Sequence, residues 1–228
     1  PELRRIKETI TAFASRIDIV DMNNIPIKKT IDMLKMSDED SRRVASFVLN
    51  ADLSLEDFRY AGDDEVRIVF NSVSANGSAP QESALQQAAP LTEMLHLVSV
   101  YNGVPVPSIL FDSTGTKKMA ALASYVIGAL SGGRILVIDE LDNSLHFRLT
   151  RAIISLFNNE LNESAQLIAT VHDVSLLDCH SLFRKEQIWF THKDPDRAYL
   201  YSLAEFTAKE SKTRDTSDLI AKYRAGVF

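Results

Sequence analysis

Apolar residues open the chain at three- and four-residue steps, with Leu3, Ile6, Ile10, Phe13 and Ile17 separated by charged positions, a spacing that predicts an amphipathic helix. A second helix is expected after Ser37. There Ser37-Asp38-Glu39-Asp40 offers a cap and acidic first-turn residues ahead of Val44, Phe47 and Val48. Residues 1–60 therefore read as a small helical subdomain. After Gly62 the run Val66-Arg67-Ile68-Val69-Phe70 is β-rich and reads as a strand, and the Ser, Ala, Asn, Gln and Gly residues from Asn71 to Pro90 read as a polar loop. Met94–Tyr101 and Val104–Phe111 flank Asn102-Gly103, the pair suited to a tight hairpin turn, and Pro105 and Pro107 push the second strand to an edge.

From Gly115 to Leu130 the residues Met119, Leu122, Val126, Ile127 and Leu130 share one helical face, and Ser131-Gly132-Gly133 ends that helix. Arg134-Ile135-Leu136-Val137-Ile138 shows no alternation, as expected of a parallel strand covered on both faces. A helix from about Phe147 to Leu161, a buried strand at Gln166–Val171 and a third strand at Gln187–Phe190 complete a βαβ pattern. The expected fold class is α/β.

Composition narrows the functions without choosing one. A chain of 228 residues with 45% hydrophobic and 25% charged residues can bury a sizeable core. Its net charge is −6, and no third of it is net basic, which argues against non-specific nucleic-acid binding. The longest uncharged apolar run, Met119 to Gly133, is shorter than the roughly 20 residues a membrane span needs, so no membrane association is expected. A single cysteine, Cys179, fits a reducing compartment, and the expected location is the cytoplasm. The histidines lack the mutual spacing of a metal site, and Cys179 beside His180 does not make a nucleophile pair.

The sharpest chemistry lies in Ile135-Leu136-Val137-Ile138-Asp139-Glu140, an apolar strand delivering two carboxylates at its C-terminal end, where α/β sheets bind ligands. There Asp139 can hold Mg²⁺ and Glu140 can polarise an attacking water, the pairing that ATP hydrolysis needs. Leu141-Asp142-Asn143-Ser144-Leu145-His146 comes directly after, and Ala169-Thr170-Val171-His172-Asp173 ends the next buried strand.

In order and spacing, Ile135 to His172 resembles the ATP-binding-cassette type of P-loop NTPase. The resemblance implies that Asp139-Glu140 is its Walker B pair, Asp142 lies in its D-loop, and His172 is its switch histidine on the γ-phosphate. It also implies a signature segment at a helix N-terminus, where free N–H groups grip the nucleotide of the opposite subunit. Leu130-Ser131-Gly132-Gly133-Arg134 has a similar spelling but sits at a helix end. Asp112-Ser113-Thr114-Gly115-Thr116-Lys117-Lys118 precedes the helix that leads into the Walker B strand, so Ser113, Gly115 and Thr116 are the expected contacts. These motifs, with Asp-Glu-Leu-Asp-Asn-Ser-Leu-His at 139–146, are similar to AAA-type, ATP-binding-cassette-like ATPases of bacterial abortive infection and other phage defence, kin to the overcoming-lysogenisation-defect and SMC families.

The resemblance further implies a catalytic lobe spanning 61–228, Mg²⁺ and ATP as cofactors, a homodimer closed around two ATP molecules, and a nuclease or toxin as effector. One departure is serious: the chain contains no Gly-x-x-x-x-Gly-Lys-Ser/Thr loop for the phosphates. The family carries that loop ahead of these motifs, so with Pro1 in place of Met the chain is expected to be the C-terminal half of a longer ATPase. A protein-docking scaffold that has lost the loop is the alternative.

Overall fold

The computed structural model of the protein describes residues 2–75, 93–178, 182–205, 220 and 223. Cys179, His180, the polar stretch 76–92 and most of the charged tail lie outside the described residues. Helix α1 (Glu2–Ala14) stops short of Ile17, which instead opens strand β1 (Ile17–Asp21). The reading of Ile17 as helical fails because Ile17-Asp18-Ile19-Val20-Asp21 pairs along its whole length with a parallel neighbour. Helices α2 (Lys28–Met36) and α3 (Asp38–Leu49) come next. Ser37 caps α3 as expected, its hydroxyl accepting the Asp40 N–H at 3.1 Å.

Strand β2 (Asp57–Tyr60) leads to helix α4 (Asp63–Ala75). The expected strand at Val66–Phe70 is thus helical: Asp63, Asp64 and Glu65 in the first turn complement the helix dipole, and of its apolar residues Val69 is buried whereas Ile68 is exposed. The expected hairpin is present as β3 (Leu97–Tyr101) and β4 (Val104–Pro107), with Asn102 and Gly103 both at positive φ in the turn. Sheet order β2-β3-β4 leaves the two prolines on the edge. Past Pro107 the predicted strand gives way to the short helix α5 (Ser108–Phe111).

Helix α6 (Thr114–Gly132) is buried on nearly every side, beyond the single apolar face expected. Met119, Leu122, Val126 and Ala129 pack on the sheet residues Val20, Leu136 and Ile138. Ala120, Ala123 and Ile127 pack instead on Ile31, Leu34, Val44, Val48, Phe58 and Leu97. At its end Gly133 adopts φ +57°, and a Cβ there would lie 2.5 Å from the Ser164 hydroxyl oxygen, so only glycine turns the chain into the next strand.

Strand β5 (Ile135–Asp139) is central, parallel to β1 on one side and to β6 (Gln166–Ala169) on the other. Helix α7 (Phe147–Phe157), shorter than expected, covers the same face as α6 through Ile153, Ile154 and Phe157. Among the described residues the other face is bare: Ile19 and Ile168, flanking Val137 in register, are 77% and 58% exposed. Covering on both faces was expected and is seen on one only. The third expected strand, Gln187–Phe190, is a 3₁₀ turn at Lys185–Gln187 leading into β7 (Trp189–Lys193), which pairs antiparallel with β8 (Ala198–Ser202) outside the parallel sheet. No helix among the described residues is long and apolar enough to cross a membrane.

Asp18 ties β1 to the start of β5, accepting from Arg134 Nε at 2.7 Å and from Lys29 Nζ at 3.2 Å. Burial pushes its carboxyl up, but the Arg134 hydrogen bond, then the charge and hydrogen bond of Lys29 and the charge of Arg134, outweigh burial and hold it below the ordinary carboxylate value. A carboxyl lowered by folding stabilises above its unfolded pKa of about 4 and loses that contribution as pH falls through the lower folded value. Asp18→Asn is expected to cost about 1–2 kcal/mol at neutral pH and to flatten the stability profile below about pH 4, read by urea unfolding across pH.

Candidate active site at the end of the central strand

The chain leaves β5 through an abrupt turn. Glu140 has φ +55° and Ser144 φ +61°, left-handed conformations uncommon for residues with a Cβ and concentrated at functional turns. Thr170, one residue past β6, holds both acids: its hydroxyl donates to Asp139 Oδ1 at 2.6 Å and accepts the Glu140 N–H at 2.8 Å. Asp139 is exposed, and no donor among the described residues reaches its Oδ2. Asp21, at the end of β1, is its register partner.

Glu140 is held by amides. Asn23 Nδ2 donates to Oε2 at 3.0 Å and Asn143 Nδ2 donates to the same oxygen at 2.9 Å. Oε1 faces His172 Nε2 at 3.6 Å, too long for a hydrogen bond but close enough for an ion pair when the ring is protonated. The Asn143 bond, then that of Asn23, opposed by slight desolvation and helped by His172, keep this carboxyl below its ordinary value. It is therefore ionised at neutral pH. Such a group orients and polarises water more readily than it retains a proton.

His172 itself is 79% exposed, with its backbone fixed from below. Asp142 Oδ2 accepts the N–H of His172 at 2.9 Å and of Asp173 at 2.8 Å, while its Oδ1 is buried without a partner. Asp142, expected to reach towards a nucleotide across a dimer, is turned inward and braces the histidine segment.

At the start of α6, Ser113 is the N-cap, its hydroxyl accepting the Thr116 N–H at 3.0 Å. The N–H groups of Thr114 and Gly115 are left without an intrahelical acceptor. Thr116, expected to touch ligand, is buried, its N–H is taken by the cap, and its hydroxyl lies 2.8 Å from Ser113 Oγ and 3.4 Å from Asp52 Oδ2. Asp112 is buried and accepts from Ser99 at 2.7 Å, Ser108 at 2.5 Å and Tyr101 at 2.9 Å, anchoring this segment; burial and the Asp112 hydrogen bond push the Tyr101 hydroxyl far above its ordinary value. Gly115 lies beside the acidic turn. A Cβ there would meet Ser144 O at 3.1 Å. Ser131-Gly132-Gly133, the competing signature spelling, ends α6.

The structure thus brings Asp139, Glu140, Asp142 and His172 to one end of the sheet, with Gly115 packed against the turn just beyond them. It also adds Asn23, Thr170, Asn143 and Lys118, which motif reading did not assign. Asn23 comes just after β1, whose pairing with β5 places it at the C-terminal edge beside Asp139. No cluster of three or more His, Cys, Asp or Glu side chains able to hold a metal occurs among the described residues. Mg²⁺ does not require one, since it is commonly held by one or two carboxylates together with substrate phosphates and water. An exposed Asp139 with an unbonded oxygen beside Asp21 is a fitting donor set of hard oxygens.

A parallel sheet whose central strand delivers paired acids to its C-terminal edge is an α/β arrangement consistent with the P-loop NTPase class. More particularly, the chain belongs to the family described as "AAA domain, putative AbiEii toxin, Type IV TA system", whose profile matches residues 8–178, well over half of the chain. No curated protein matches it.

Proposed function

We propose that this chain is the catalytic lobe of an ATP-binding-cassette-like ATPase that hydrolyses ATP at a head-to-tail dimer interface and thereby switches an effector, a nuclease or toxin, in phage defence. The observation that carries the reading is the Glu140 carboxylate, with Oε2 saturated by two amides and Oε1 turned to His172, beside the open Oδ2 of Asp139. Asp139 is the metal-holding residue. Mg²⁺ held there would supply charge neutralisation for phosphoryl transfer.

Glu140 Oε1 orients the attacking water and accepts its proton, and its two amide donors keep the carboxylate aimed during the step. His172, on a backbone braced by Asp142, exchanges its contact with Glu140 for one with the γ-phosphate. Ser113 shapes the first turn of α6 so that the Thr114 and Gly115 N–H groups face the nucleotide of the second subunit. The phosphates in cis need a loop that the sequence lacks. The bare face carrying Ile19 and Ile168, together with β6, which pairs only with β5 among the described residues, supports a further segment packing there to supply it. The same absent loop favours the second reading, a catalytically incomplete scaffold that docks a nuclease or toxin.

The test is Mg²⁺-dependent ATP turnover of Asp139→Asn in a preparation whose wild type is active. A loss of about a hundredfold or more is expected. Turnover unchanged from wild type would overturn the assignment, and a wild type that binds a partner but never hydrolyses ATP would leave the scaffold.

A further inference from the structure

We propose that Lys118 is a positioning residue: by fixing which way the Asn143 amide faces, it ties the first turns of α6 to the Glu140 carboxylate, an inference resting on the role just given to Glu140. Lys118 Nζ reaches Asn143 Oδ1 at 2.9 Å, Asn143 O at 3.1 Å and Ser144 Oγ at 3.3 Å. An ammonium has three donors and no acceptor. It therefore selects one of the two ways an Asn amide can face, with the carbonyl oxygen towards Lys118. Only then does the NH₂ group face the site, giving one hydrogen to Glu140 Oε2 at 2.9 Å and the other to Asn23 Oδ1 at 2.8 Å.

The second contact propagates the choice, because Asn23 with its oxygen on Asn143 has its own NH₂ left for Glu140 Oε2 at 3.0 Å. Both donors that hold the carboxylate thus take their orientation from one lysine. With the Asn143 amide reversed, a carbonyl oxygen would face a carboxylate, and Oε2 would lose a charge-assisted bond. Lys118 sits on the second turn of α6, and Gly115 on the first leaves only 3.1 Å between a would-be Cβ and Ser144 O. Displacement of that helix end reaches Glu140 through these contacts.

The experiment is NMR of the side-chain amides in the full chain without nucleotide, the Asn143 and Asn23 signals being assigned by their loss in Asn143→Ala and Asn23→Ala. In wild type both Asn143 Nδ2 hydrogens are bonded and exchange slowly with water. Lys118→Met is expected to speed that exchange about tenfold, roughly the loss of one charge-assisted bond. Lys118→Arg, which also has donors only, is expected to restore wild-type protection, an outcome that a space-filling role for the lysine stem would not produce. Should Lys118→Met fail to fold, Lys118→Leu serves instead, since it too removes every donor.

Unchanged protection in Lys118→Met, or in Lys118→Leu where the methionine variant does not fold, overturns the inference, whatever ATP turnover does. Protection lost on removing the ammonium and kept in Lys118→Arg supports it. If at the same time Glu140→Gln leaves turnover intact, the ATPase reading falls and the positioning chain stands.

Discussion

Glu140→Gln is expected to lower ATP turnover by about 10²–10⁴-fold in an active preparation while leaving ATP binding within about twofold of wild type. The substitution is well matched to this site. Asn23 and Asn143 both donate to Oε2, and the carbonyl oxygen of a glutamine can accept both of those bonds in place. What is lost is the anionic Oε1, which faces His172 and has no other partner among the described residues. The side chain's position therefore survives while its capacity to take a proton does not. Steady-state turnover and equilibrium binding of ATP measured together decide the matter: turnover retained at the wild-type rate removes Glu140 from the chemistry, and binding lost in parallel makes it a structural or ligand-holding residue.

Truncating Leu136 to Ala is expected to have the largest effect on stability, about 3 kcal/mol and between 2 and 5. Leu136 is fully buried on the central strand, in one cluster with Val20, Leu122, Val126 and Ile153. Neighbours on both flanking strands and two helices prevent the cavity from collapsing. Ile19→Ala is the matched control, on the same sheet but on the bare face at 77% exposure, and should change stability by no more than about 0.5 kcal/mol. Urea unfolding of the two variants measures both quantities. Equal costs would mean that the outer face is covered in solution, by a second copy or by residues beyond those described.

How much of this was legible in the sequence depends on what fixes each element. The helix at 114–132, the strand after Arg134 and the Asn102-Gly103 hairpin are set by local signals, a Ser cap, a glycine stop, a β-branched run and a turn pair, and each lies within a few residues of where those signals put it. Ile17–Asp21 and Val66–Phe70 were misread for opposite reasons. The first is short, and its identity comes from pairing with a strand more than a hundred residues away, so periodicity carried over from α1 swallowed it. The second is rich in β-formers, but three acids at Asp63–Glu65 start a helix that buries Val69 against Ala61 and Val98.

The placing of Asp139, Glu140 and His172 at one sheet edge was legible because strand ends announce themselves. Asn23, Thr170 and Lys118 were not, since Asn, Thr and Lys are common surface residues and only the fold brings these to two carboxylates. Asp142 and Thr116 show the reverse: spelling alone made both candidate ligand contacts, yet the first holds backbone N–H groups and the second is enclosed beneath its own cap.

Helix α6 belongs to two cores at once, Leu122 and Val126 to that of the parallel sheet and Ala123 and Ile127 to that of α2, α3 and the β2-β3 pair. Neither core can open by itself without stripping one side of the same helix. The amides of its middle turns should accordingly be the last in the chain to exchange with deuterium, and the two halves should melt in a single cooperative step. Loosening that starts in either core is transmitted along this one rod to Ser113 and Lys118 at its end, which makes the acidic turn a reporter of the integrity of the whole.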